Sequence, residues 1–145
     1  MRPTLLNSCA SAATAAEARF RIDAKPGLRV ERATRVVALD AGAAEIVRPL
    51  AEAPWLGSRF LFEAATDELA DADFVLMIAT NGDGAAAAAA IGDVCVLRGI
   101  MTAGLVLASD QDQGAAVTAL RPHSRVLLVS RDRRDAAGLL TALGA

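Results

Sequence analysis

The sequence predicts one α/β domain with three layers, in which a mostly parallel five-stranded sheet lies between two layers of helices. Three observations support this fold class. After residue 34, short apolar runs alternate with segments of helical periodicity. The run at 73–79 is continuously apolar, which is typical of a strand covered on both faces. A chain of 145 residues with 54% hydrophobic content also suffices for one large core.

The predicted strands are short apolar runs bounded by glycine, proline or charged residues. They cover residues 35–39, 59–63, 73–79, 102–108 and 125–129. The third run should be the central and most buried strand, with Leu76 and Ile78 nearly inaccessible to solvent. Because helical segments separate the strands, we expect right-handed crossovers and the Rossmann-like or flavodoxin-like strand order 2-1-3-4-5.

The helical segments between the strands carry apolar residues at three- and four-residue spacing. The first helix begins near Ala43 and contains Pro49, which lacks a backbone donor and should kink or shorten it. A short helical turn with Thr66 as its N-cap follows the second strand. The next helix should place Cys95 in the core and end at Gly99. Two further helices follow the fourth and fifth strands.

Residues 1–33 do not follow this alternation and form a predicted N-terminal extension to the domain at 34–145. Two short segments of alternating character, 20–22 and 28–30, flank the turn-forming sequence Lys25-Pro26-Gly27. They predict either a β-hairpin or an antiparallel addition to an edge of the sheet.

Charge and composition exclude several classes of partner. The formal net charge is −2 and Lys25 is the only lysine, so the sequence predicts no basic surface for nucleic acid. No apolar run approaches the roughly 18 residues of a membrane-spanning helix. Cys9 and Cys95 supply neither a disulfide framework nor a zinc quartet, and a reducing, cytoplasmic location is expected.

The carboxyl ends of the first and third strands form the candidate binding site. In the order 2-1-3-4-5, these ends lie where the strand order reverses, which is where open α/β sheets bind ligands. Glycines there would allow close backbone approach or a positive φ, and the following helix would present N–H groups to an anion. The candidate residues are Asp40, Ala41 and Gly42 after the first strand, and Thr80, Asn81, Gly82, Asp83 and Gly84 after the third.

Helix capping is the alternative interpretation of these residues. Loop 80–84 also suits a plain strand-to-helix turn with Asp83 as N-cap. Acidic residues follow nearly every strand, and such an edge repels phosphate unless a cation such as Mg²⁺ intervenes. These acids are Asp40, Asp67, Asp83, Asp110, Asp112 and Asp132. Capping explains Asp67 and Asp132 best, whereas Asp40 and Asp83 are the better candidates for a metal or polar ligand.

Other polar residues give weaker signals. The single histidine, His123, precedes the fifth strand and is expected at the surface or as a cap, on the edge opposite the candidate site. With one histidine and no Gly-x-Ser-x-Gly motif, a serine or cysteine hydrolase of familiar design is not predicted. Arg131, Arg133 and Arg134 either form an exposed cluster that opens the last helix or hold an anion at the rim.

The order of segments between residues 36 and 109 carries a family resemblance. A strand enters the small-residue turn 40–43, and the strand at 60–67 ends in an Ala-Thr-Asp segment. The apolar strand 73–79 and the segment 99–106 then flank the glycine-containing loop Asn81-Gly82-Asp83-Gly84-Ala85-Ala86. This order resembles a shortened tubulin/FtsZ-type GTP-binding domain, whose GGGTGTG motif is represented here by two glycines and no threonine. The resemblance implies a nucleotide site with this loop as its phosphate contact.

Two functional hypotheses from different classes follow. The first is a small Rossmann-like domain that binds a nucleotide with Mg²⁺, or another phosphate-bearing small molecule, at 40–43 and 80–84. The second is a non-catalytic interaction or regulatory domain that acts through an oligomeric surface, as in a homo-oligomer. An enzyme with an unfamiliar acidic site is a third. N–H groups of 82–85 around an open cleft would favour binding, and a cleft filled by side chains would favour the interaction domain.

Overall fold

The five strands form one fully parallel sheet in the computed structural model, which describes residues 33–55, 57–63 and 65–143. The strands are β1 (Thr34–Ala38), β2 (Ser58–Leu61), β3 (Phe74–Ala79), β4 (Met101–Leu107) and β5 (Val126–Ser130). Their order, β2-β1-β3-β4-β5, confirms the predicted topology. The predicted N-terminal extension lies outside the described residues, apart from residue 33.

Four α-helices lie on the two faces of this sheet. They are α1 (Ala41–Ala51), α2 (Ala85–Arg98), α3 (Asp110–Leu120) and α4 (Arg134–Ala142). Two short 3₁₀ helices, Thr66–Leu69 and Arg121–His123, lie in the connections before β3 and β5. No helix in the described part of the chain is long and apolar enough to cross a membrane.

The helix ends confirm some sequence predictions and correct others. Gly99 ends α2 in the left-handed conformation, with φ of 68°, as predicted. Helix α1 starts two residues earlier than predicted, at Ala41, because Asp40 caps it. Pro49 does not end this helix, which continues to Ala51. Thr66 lies inside its 3₁₀ helix and is not its N-cap; Ala65 occupies the cap position without a side-chain hydrogen bond.

The core is divided by the sheet into two apolar clusters. All six residues of β3 are buried, and Leu76 and Ile78 are fully inaccessible, as predicted for the central strand. Leu76 and Ile78 pack on the side of α1 and α4, whereas Val75 and Met77 pack on the side of α2 and α3. Cys95 belongs to the second cluster at 1% exposure, which confirms its predicted place in the core.

Candidate functional site

Asp40 joins the two loops of the candidate site. Its Oδ1 accepts hydrogen bonds from the Ala43 N–H (2.7 Å) and the Thr80 hydroxyl (2.6 Å). Its Oδ2 accepts the N–H groups of Thr80 (2.8 Å) and Asn81 (3.3 Å). The carboxylate therefore caps α1 and also holds the loop after β3. With four hydrogen bonds to the chain itself, its acceptor capacity is used within the domain.

The glycines of both loops permit close contacts between protein groups. A Cβ on Gly84 would lie 2.5 Å from the Leu39 Cβ and 2.7 Å from its carbonyl oxygen. A Cβ on Gly82 would lie 3.0 Å from the Ala115 Cβ in α3, and one on Gly42 would collide with the hydroxyl of the opposite loop. None of these three glycines has a positive φ. The packing of the domain itself thus explains why positions 42 and 84 are glycine, whereas a side chain at 82 would require only a small shift of its neighbour.

The loop 80–84 makes a turn with its own hydrogen bonds. The Asp83 N–H donates to Asn81 Oδ1 at 2.8 Å, and the Ala85 N–H donates to the Gly82 carbonyl at 3.3 Å. Gly84 is the N-cap of α2, and Asp83 is exposed and does not cap the helix, so the capping interpretation of Asp83 is wrong. The N–H groups of Gly82 and Gly84 have no acceptor among the described residues.

The structure therefore brings the predicted site residues together, but the hydrogen bonds they form are with one another. Residues 40–42 and 80–84 meet at the switch point between β1 and β3, as the strand order requires. Asp40 and Thr80 bridge the two loops, whereas the Asp83 carboxylate accepts no hydrogen bond and forms no ion pair within the described chain. No group of three or more potential metal-ligating side chains occurs within the described ranges.

The arginines after β5 form exposed ion pairs. Arg131 pairs with Asp110, and Arg134 Nε lies 3.4 Å from Asp132 Oδ1. Asp132 also accepts the backbone N–H of Arg134 at the start of α4, at 2.9 Å, in agreement with its predicted position at a helix start. Such exposed pairs contribute about 0–1 kcal/mol each, so this cluster is a solvated helix start.

His123 lies in a groove at the opposite end of the strands. This groove has a volume of about 610 Å³ and runs between the C-terminal half of α2 and residues 122–125. The imidazole packs on Gly92, where an added Cβ would lie 2.7 Å from Nδ1, and the His123 carbonyl accepts the Thr102 hydroxyl at 2.8 Å. His123 is half-buried and lies at the edge opposite the candidate site, where it was predicted. A glycine in mid-helix is the sequence signal for this contact.

The surroundings of two buried side chains, Cys95 and Arg35, indicate structural roles. Burial raises the pKa of the Cys95 thiol, so the thiolate needed for nucleophilic chemistry is disfavoured. Arg35 is 6% exposed, and its guanidinium donates to the carbonyl oxygens of Glu68 (3.0 Å) and Thr34 (3.3 Å). Arg35 thereby ties the first 3₁₀ helix to β1.

The outward face of α2 is exposed and apolar, and sequence analysis missed it. Val96 is 83% exposed and Leu97 is 86% exposed, and Ala86 and Ala90 are exposed on the same side of the helix. Asp93 is the charged residue among them. The signal in the sequence was the apolar character of the whole helix, which begins with six alanines. We call Ala86, Ala90, Asp93, Val96 and Leu97 the α2 surface.

Comparison with known proteins adds no family assignment. No protein-family model and no curated protein matches the sequence.

Proposed function

We propose that this chain is a non-catalytic interaction domain that forms a homodimer through the α2 surface. The observation that carries the proposal is the exposure of Val96 and Leu97 on the mostly apolar outward face of α2. At the switch point, by contrast, Asp40 already uses its acceptors within the domain. A cytoplasmic location is part of this proposal.

The physical argument starts from the cost of leaving large apolar side chains in water. Helices that are apolar all around are normally covered on every face, and α2 is covered by the sheet on one face. Burying a leucine or valine side chain contributes about 1.5–3 kcal/mol. The small side chains of Ala86 and Ala90 let a second helix approach closely beside Val96 and Leu97. The α2 surface thus favours a helical partner.

Side-chain size favours a second copy as that partner. A two-fold interface brings the same surface of two copies together. If two α2 helices pack antiparallel about an axis near residues 91 and 92, Leu97 of each copy lies opposite Ala86 of the other. Both side chains are exposed. A large side chain would then meet a small one at each end of the apolar contact.

Sedimentation velocity of Leu97→Glu tests the proposed interface. We expect the parent chain to sediment with twice its 14.9 kDa mass. The variant should dimerise about 100-fold more weakly, because the two-fold axis counts each lost leucine contact twice. Phe62→Glu is the matched control, since Phe62 is also an apolar residue with 39% exposure. It directly follows β2, which is the edge strand opposite β5. Equal dimerisation of both variants would exclude the α2 surface.

Binding of a phosphate-bearing small molecule at the switch point is the second candidate function. The strand order supports it, as do the N–H groups of Gly82 and Gly84, which have no acceptor among the described residues. A thermal-shift screen of nucleotides with and without Mg²⁺ tests this candidate, because binding to the folded state raises its apparent stability. A nucleotide that raises Tm in the parent and equally in Gly82→Ala would argue against the loop as its site.

A further inference from the structure

β5 is the least buried strand of the sheet. Val126 is 53% exposed, Leu128 is 42% exposed and Val129 is 45% exposed, whereas all six β3 residues are buried. Residues alternate between the two faces of a strand, so Val126 and Leu128 face the side of α1 and α4, and Val129 faces the side of α2 and α3. β5 is therefore exposed on both faces at once.

Exposure on both faces indicates that the absent neighbour lies in the plane of the sheet. A helix docked on one face would cover either Val126 and Leu128 or Val129. A strand added beside β5 would cover both sets with its own alternating side chains. β5 pairs with β4 along one edge, and no strand of the described residues pairs with the other edge.

β5 also lacks the features that protect edge strands from pairing. Its sequence, Val126-Leu127-Leu128-Val129-Ser130, contains no charged residue and no proline. No bulge interrupts its register with β4, which runs from Ala103 paired with Val126 to Leu107 paired with Ser130. Such an apolar and regular edge is a template for strand addition.

The charge at the amino end of β5 favours an acidic residue in the added strand. Arg125 directly precedes the strand, is exposed and forms no ion pair within the described residues. At the carboxyl end the charges are balanced, because Arg131 pairs with Asp110 and Arg133 lies between Asp132 and Asp135 in the sequence. Antiparallel pairing of two β5 strands about Leu128 would set Arg125 opposite Arg131 of the other copy, and such like-charge pairs destabilise a sheet.

We infer that the outer edge of β5 binds an extended segment of another protein, with apolar residues at its centre and acidic residues at the end that lies beside Arg125. Its backbone extends the sheet, its apolar side chains cover Val126, Leu128 and Val129, and its carboxylates lie near Arg125. This binding is independent of the homodimer proposed for the α2 surface.

Fluorescence anisotropy with three labelled peptides tests the inference. The first peptide has alternating valine and threonine between aspartates at both ends. The second has lysines in place of the aspartates, and the third keeps the aspartates but carries N-methyl groups at alternate backbone nitrogens. We expect the parent chain to bind the first peptide about tenfold more tightly than the second, with a preference that weakens as salt is added. The third should not bind, because it cannot complete the ladder.

Two variants of the chain keep the test specific to β5. Arg125→Glu should reverse the preference between the aspartate and lysine peptides, and Leu128→Lys should abolish binding of both. Leu97→Glu, on the α2 surface, is the control and should bind like the parent. Absent or equal binding of the first two peptides by the parent overturns the inference. So does loss of the homodimer in Leu128→Lys with retention in Leu97→Glu, because β5 would then be the self-association surface.

Discussion

Asp40 matches a sequence pattern that is typical of ligand sites, but in this structure its hydrogen bonds are made within the domain. An aspartate at the carboxyl end of a strand, next to glycine and at a switch point, is a common arrangement in ligand sites. Here one of its four hydrogen bonds caps α1, and the other three reach residues 40 or 41 positions away, in the loop after β3. Its role is to fix the geometry of the two loops.

Asp40→Ala should therefore be strongly destabilising. The change removes an N-cap, which is worth about 0.5–2 kcal/mol, and leaves the Thr80 and Asn81 N–H groups without their charged acceptor. We expect a loss of about 2–4 kcal/mol in the free energy of unfolding, measured by urea denaturation. Asp83→Ala is the matched control, because Asp83 is exposed and caps nothing, and its loss should stay below about 0.5 kcal/mol. Equal losses would contradict the role assigned to Asp40.

At the scale of elements, the central strand was predictable and the outer face of α2 was not. β3 has six consecutive apolar residues and no competing pattern, so its place at the centre of the sheet follows from its sequence. In α2, the run of alanines from 85 to 90 makes the apolar stripe indistinct, because every side of the helix is similarly apolar. The exposed side became evident only from the position of the helix on the sheet.

At the candidate site, too, contacts between distant segments could not be predicted from the sequence. The loops at Asp40 and Thr80 were correctly placed together by strand order. The bonds between them were not predictable, because each loop taken alone also satisfies the pattern of a ligand loop. The packing of His123 on Gly92 was missed for the same reason, since it joins two segments 31 positions apart in a way no local pattern specifies.

The strand β3 should contribute more to stability than the edge strand β5. Leu76→Ala should reduce the free energy of unfolding by about 2–5 kcal/mol, since it removes buried contacts and leaves a cavity. Leu128→Ala, at 42% exposure in β5, should cost less than about 1 kcal/mol. Denaturant unfolding of both variants gives the comparison, and a Leu76→Ala loss no larger than that of Leu128→Ala would place the main core elsewhere.

At the scale of the whole molecule, two regions differ in how far the domain itself covers their side chains. Around the switch point, hydrogen bonds and close packing join groups of the domain to one another. On α2 and β5, large apolar side chains face solvent. Apolar exposure of this kind is typical of surfaces that bind other proteins. We therefore expect the interaction surfaces to account for the activity of the chain.

The most direct measurement is sedimentation velocity on two variants that exchange side-chain size, Ala86→Leu and Leu97→Ala, alone and mixed. Alone, Ala86→Leu sets two leucines against each other across the proposed two-fold axis and Leu97→Ala leaves two alanines there, so each dimer should be weaker than that of the parent by about tenfold or more. In the mixture, each contact again joins a leucine and an alanine, so a heterodimer of near-parental affinity should form. A parent chain that remains monomeric at about 100 μM would contradict the account. Two variants that dimerise like the parent and gain nothing when mixed would contradict it equally.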